Sequence, residues 1–103
     1  MIEKEYFYIG HYYDPQGNYV LKIGTTNDLD RRKAEHIKNY GLPFEYNWYI
    51  PLSKYTTLRV EDRTREIFKF CGFGEYMRND RFRFAEKPER VYIQVKKVYE
   101  ILL

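Results

Sequence analysis

The sequence predicts a small mixed α/β domain with a mostly antiparallel sheet flanked by helices. Segments rich in aromatic and β-branched residues alternate with three stretches that have helical spacing, and the length of 103 residues suits one domain, residues 1–103. Hydrophobic residues make up 44% and charged residues 32% of the chain, which is typical of a folded globule rather than a disordered segment.

The first element is predicted to be a β-hairpin. Segments 6–9 and 19–23 have strand composition, and they flank the Pro- and Gly-containing turn segment 14–18. Side chains alternate along a strand, so each strand presents two faces. One face carries Phe7, Ile9, Leu21 and Ile23, and the other carries Tyr6, Tyr8, Lys22 and Gly24. If the aliphatic side chains face the core, Tyr8 and Lys22 share the opposite face.

A short helix is predicted over residues 29–38. Segment 25–28 offers several N-cap residues, and Gly41 is a stop signal. Leu29, Arg32 and His36 are spaced to lie on one stripe of this helix.

The second half of the chain predicts a third strand, a second helix, a short edge strand and a third helix. The strand covers 44–50 and is expected to end at Pro51, the second helix covers about 57–70, the edge strand covers 81–84, and the third helix covers about 89–103. Glu61 lies between apolar neighbours on the second helix. The apolar face of the third helix is expected to pack in the core, and it consists of Val91, Val95, Val98, Tyr99 and Leu102.

The net charge and the number of cysteines limit which partners and which covalent or metal sites the protein can have. The net charge of +3 permits an anionic partner without requiring one, and the single Cys71 excludes a disulfide within the chain and a multi-cysteine zinc site. No apolar run approaches the roughly 20 residues that span a bilayer, and the first residues lack the pattern of a signal peptide. We therefore expect an intracellular protein, cytoplasmic or nuclear, without membrane association.

The order of elements over residues 5–75 resembles the GIY-YIG nuclease family. Segment 6–8, Tyr-Phe-Tyr, resembles the first motif, and segment 22–32, which begins Lys-Ile-Gly, resembles the second motif and its helix. Tyr8-Ile9-Gly10 also spells the second motif, but it precedes the predicted turn and cannot lead directly into the helix that carries Arg32. The match therefore places Lys22 where the family usually has a tyrosine.

The resemblance implies an endonuclease that hydrolyses DNA with Mg²⁺ or Mn²⁺, and it implies roles for five residues. Tyr8 would be the general base, with its phenolate favoured by Lys22, and Arg32 would hold the scissile phosphate. His36 would orient a group or relay a proton, and Glu61 would bind the metal. Asn79 is the nearest candidate for an asparagine that some members carry.

Each of these residues alone has an ordinary structural explanation. Tyr8 could be a packed aromatic, His36 a structural histidine, and Glu61 a surface acid paired with Arg65. The alternative function is a catalytically inactive module on the same fold that binds nucleic acid or protein. Segment 72–76 faintly resembles a motif of RNA-recognition domains, but the predicted second strand after the turn argues against that fold.

A single domain of this length predicts little intrinsic sequence specificity in DNA cleavage. Members of the resembled family usually obtain specificity from an added DNA-binding domain. We therefore expect that specificity, where it exists, comes from a homodimer or from a partner protein.

Overall fold

The computed structural model describes residues 4–40, 43–85 and 88–102. The strands are β1 (Lys4–Tyr13), β2 (Tyr19–Thr26), β3 (Glu45–Ser53), β4 (Glu75–Met77) and β5 (Arg81–Phe84), and the helices are α1 (Leu29–Tyr40), α2 (Lys54–Cys71) and α3 (Pro88–Leu102). The five strands form one sheet in the order β3-β1-β2-β5-β4, and all neighbours are antiparallel. The predicted fold class is confirmed.

Two strand predictions were wrong, and pairing explains both. Pro51 lies inside β3 instead of ending it, because β3 is an edge strand and a proline without an N–H is tolerated there. Segment 81–84 is not at the edge, because the short strand β4 pairs with its outer side. The sequence prediction missed β4, whose three residues are too few to show alternation.

Capping residues set the boundaries of the first two helices. Asp28 caps α1 by accepting from the backbone N–H of Arg31 at 3.0 Å. The side chain of Ser53 accepts from the backbone N–H of Thr56 at the start of α2, and Gly72 ends α2 in the left-handed conformation. The α2 helix begins three residues before its predicted start because this cap lies upstream of the periodic apolar residues.

The two faces of the sheet bury different kinds of side chain. On one face, α2 and α3 contribute Phe68, Val91 and Val95 to an apolar core. This core also contains Phe7, Ile9, Tyr19, Leu21, Ile23, Phe82 and Phe84. On the other face, a smaller cluster consists of Tyr8, Tyr12, Val20 and Phe44, with Leu29 and Tyr40 of α1 packed against it. The predicted division of the hairpin is confirmed, and α1 covers the face that carries Tyr8.

Candidate active site

The centre of the candidate site is a hydrogen bond between Tyr8 on β1 and His36 on α1. The phenol oxygen of Tyr8 lies 2.7 Å from Nε2 of His36, and both side chains are buried. The His36 ring stacks on Tyr40 with centroids 5.5 Å apart and packs against Phe44. These aromatic neighbours hold the imidazole in place beside the phenol.

Both members of this pair are held in their neutral forms. Burial raises the pKa of Tyr8 well above its ordinary value of 10, and Arg32 only partly opposes this. Burial, with smaller effects of Lys22 and Arg32, lowers the pKa of His36 to about 4. At neutral pH the phenol can therefore donate to the unprotonated Nε2 of His36. The expectation that Lys22 favours a Tyr8 phenolate is corrected, because burial outweighs any cation around this phenol.

Gly24 makes the space in which the Tyr8 hydroxyl lies. It is opposite Tyr8 in the register of β1 and β2, and a Cβ atom at this position would stand 2.5 Å from the phenol oxygen. The glycine of the Lys-Ile-Gly motif thus has a direct steric role.

Lys22, Glu61 and Asp80 form the second part of the site. The Lys22 ammonium donates to the backbone carbonyl of Asn79 at 2.5 Å. Burial lowers the pKa of Lys22, while Asp80 and Glu61 oppose this effect, so both carboxyl groups lie near the ammonium. Burial raises the pKa of Glu61 to about 7, with further contributions from the charge of Asp80 and from a hydrogen bond between the two side chains.

Arg32 lies between these two parts. Its Nη1 donates to Glu35 at 3.1 Å, and its buried Nε has no hydrogen-bond partner within the described ranges. The positive charge of Arg32 acts on Tyr8, Lys22 and His36. A guanidinium with an unsatisfied buried N–H is suited to an anionic ligand.

The structure brings together all five residues singled out in the sequence. Each has a hydrogen bond or an electrostatic interaction with at least two of the others. The five residues are Tyr8, Lys22, Arg32, His36 and Glu61. Asn79 contributes its backbone carbonyl, and its side chain is exposed.

Asp80 is the site residue that sequence reasoning missed. It adjoins Glu61, and its carboxylate also lies 3.3 Å from Nη1 of Arg65. The Asn79-Asp80 pair could have indicated it, since asparagine and aspartate both favour turns. An acidic residue in a turn between two strands lies next to the sheet that those strands form.

The carboxyl pair fits one divalent cation of the Mg²⁺ type. In the part of the chain that the structure describes, no group of three or more histidine, cysteine, aspartate or glutamate side chains could form a complete protein cage for a metal. Mg²⁺ is usually held by only one or two carboxylates and completes its shell with water and phosphate oxygens. Glu61 and Asp80 supply oxygen donors of this kind.

The fold is a small α/β domain with a five-stranded antiparallel sheet and three helices. The model of the T5orf172 domain matches residues 5–102, and the chain belongs to this family. No curated protein and no solved structure matches the chain significantly. Within the described ranges, no helix is both long and apolar enough to cross a membrane.

Proposed function

We propose that the protein is a metal-dependent endonuclease that hydrolyses DNA phosphodiester bonds through a GIY-YIG-type site. The observation that carries this proposal is the convergence of Tyr8, Lys22, Arg32, His36 and Glu61 from two strands and two helices. Membership in the T5orf172 family supports a nuclease or DNA-binding role.

The residues of the site supply the groups that phosphodiester hydrolysis needs. In the proposed reaction, the Tyr8 oxygen takes a proton from the attacking water as the phenol proton moves to Nε2 of His36, so no free phenolate is required. Arg32 binds the phosphate and offsets the charge that develops in the transition state. Lys22, held by the Asn79 carbonyl, adds a second positive charge.

Glu61, with Asp80 beside it, would hold the divalent cation. A bound Mg²⁺ or Mn²⁺ would supply Lewis-acid stabilisation of the phosphate and of the leaving oxygen. The two carboxyl groups are partly buried and lie near the Lys22 ammonium.

Cleavage of supercoiled plasmid tests this proposal. We expect nicked or linear product with Mg²⁺ or Mn²⁺, and we expect Glu61→Gln to abolish it because the amide is a poorer cation ligand. Glu66→Gln is the matched control, since Glu66 lies on the same helix, is exposed and forms an ion pair with the neighbouring Arg65. Equal cleavage by wild type and Glu61→Gln would overturn the metal role.

The burial of Tyr8 favours a second candidate function. This side chain is only 1% exposed, so a water molecule can reach its oxygen only if nearby side chains move. A catalytically inactive module on the same fold would keep Tyr8 and His36 as a structural pair. Such a module would not cleave DNA with any divalent ion. If its partner is nucleic acid, its DNA binding would weaken as salt rises, and otherwise it would bind a protein partner.

A further inference from the structure

Arg81, the first residue of β5, has an unusually fixed guanidinium group. Its Nη1 donates to the Tyr12 hydroxyl at 2.9 Å, and its Nε donates to the backbone carbonyl of Arg78 at 2.9 Å. The guanidinium carbon also lies 5.2 Å from the centre of the Tyr40 ring, which adds a cation–π contact. Three contacts from three different segments therefore set the direction of this side chain.

These contacts leave the charge of Arg81 uncompensated. In residues 4–40, 43–85 and 88–102, no carboxylate lies within ion-pairing distance of Arg81. A guanidinium has five N–H donors, and the contacts to Tyr12 and Arg78 use two of them. Arg83, two residues further along the same strand, instead pairs with Glu75 at 2.6 Å.

Arg81 lies next to the proposed active site. It is opposite Lys22 in the register of β2 and β5, so both side chains are on the sheet face that carries Tyr8. Burial is the main reason that the pKa of Lys22 is lowered, but Arg32 and Arg81 both add to the effect. Tyr40 lies between Arg81 and the proposed active site, since its ring contacts the Arg81 guanidinium and stacks on the ring of His36.

We propose that Arg81 binds a phosphate of the DNA backbone adjacent to the phosphate held by Arg32. A fixed, planar guanidinium that keeps N–H donors beyond its contacts to Tyr12 and Arg78 suits contact to phosphate oxygens. The backbone of DNA presents such oxygens at every nucleotide. This inference rests on the proposed function, because it assigns Arg81 to the substrate of the same site.

The test compares Arg81→Gln with Arg83→Gln in binding a fluorescently labelled DNA duplex, measured by anisotropy in EDTA over a range of salt. Both variants lose one positive charge from the same face of the same strand. We expect Arg81→Gln to lower the affinity by about tenfold and to reduce the slope of log affinity against log salt by about 1, because one phosphate contact is lost. Arg83→Gln should keep the wild-type slope, since its charge is already compensated by Glu75.

A third variant keeps the test decisive if Arg81→Gln folds poorly. Arg81→Lys retains the charge, but an ammonium cannot hold Tyr12, the Arg78 carbonyl and a phosphate together, so binding should still be weaker than in wild type. Equal slopes for Arg81→Gln and Arg83→Gln, wild-type affinity in Arg81→Lys, or no DNA binding by the wild-type protein would each overturn the inference. Plasmid cleavage and its loss in Glu61→Gln are read separately, so failure of the Arg81 contact is distinguishable from failure of the proposed nuclease activity.

Discussion

At the scale of single residues, the surroundings of each phenol separate Tyr8 from the other buried and half-buried tyrosines. Tyr12 accepts from Arg81, Tyr19 accepts from Asn47, and Tyr46 donates to the backbone carbonyl of Leu29. These bonds satisfy polar groups that would otherwise be buried without partners. Tyr8 instead forms its hydrogen bond with the imidazole of His36, whose Nε2 can accept the phenol proton.

Gly24→Ala should disrupt this pair without removing either member. The added methyl group would stand 2.5 Å from the Tyr8 oxygen, so the phenol must move away from His36. We expect loss of plasmid cleavage and a stability cost of about 1–3 kcal/mol, as is usual when a packed site is overfilled. Cleavage and urea unfolding would be measured on the same preparation.

Tyr8→Phe is the matched comparison for Gly24→Ala. It keeps the ring in the core and removes only the hydroxyl, so it should abolish cleavage and cost about 1–2 kcal/mol for the lost hydrogen bond. Full cleavage by both variants would show that the position of the Tyr8 hydroxyl does not matter to the reaction.

Local periodicity explains why most of the site could be predicted from the sequence. Alternation along β2 places Lys22 and Gly24 on the face of Tyr8, and helical spacing aligns Arg32 with His36. Asp80 could not be found in this way, because its contact with Glu61 depends on where β5 pairs with β2. The strongly raised pKa of Tyr8 was also not predictable, since the burial that causes it comes from elements distant in the sequence.

At the scale of secondary structure elements, the hairpin formed by β4 and β5 completes the site. Asn79 and Asp80 in its turn have φ values of 60° and 54°, which are left-handed conformations that non-glycine residues rarely adopt. The backbone carbonyl of Asn79 holds Lys22, and the carbonyl of Asp80 accepts from the backbone N–H of Ile23 at 3.1 Å. The turn thereby fixes β2 at the motif that carries Lys22.

Asn79→Val should destabilise this turn by about 1–2 kcal/mol, because a β-branched side chain is strained at positive φ. Asn79→Gly is the control, since glycine adopts this conformation freely, and its stability should stay within about 1 kcal/mol of wild type. The midpoints of chemical unfolding would measure both effects.

The same pair of variants tests whether the Asn79 side chain takes part in cleavage. Lys22 donates to the backbone carbonyl of Asn79, and Asn79→Gly retains that carbonyl. We expect Asn79→Gly to cleave plasmid at a rate similar to wild type. A rate as low as that of Glu61→Gln would assign a direct role to the amide side chain.

At the scale of the whole molecule, the two faces of the sheet bury different groups: one face carries the apolar core, and the other carries the candidate site. The face under α2 and α3 is filled by aliphatic and aromatic side chains, whereas the face under α1 buries His36 and the Tyr8 hydroxyl. Burying titratable groups links folding to pH, because a buried group binds its proton with a different affinity in the folded chain than in the unfolded chain.

His36 should make the protein less stable as pH falls from 6.5 to about 4. Above pH 6.5 the ring is neutral in both states, but below it the unfolded chain gains a proton while the folded pKa stays near 4. Each pKa unit between the two states corresponds to about 1.4 kcal/mol of unfolding free energy. The difference between 6.5 and about 4 therefore lowers the free energy of unfolding by about 3 kcal/mol across this window. Glu61 acts in the opposite sense, because its pKa is raised to about 7 and the folded state binds its proton more tightly.

A comparison of wild type with His36→Gln at each pH isolates the contribution of His36 from that of Glu61. Urea unfolding should show the free energy difference between the two proteins shrinking by about 3 kcal/mol as pH falls through the window. A constant difference between wild type and His36→Gln would mean that His36 takes up its proton equally in the folded and unfolded states, and it would contradict a His36 pKa lowered by burial.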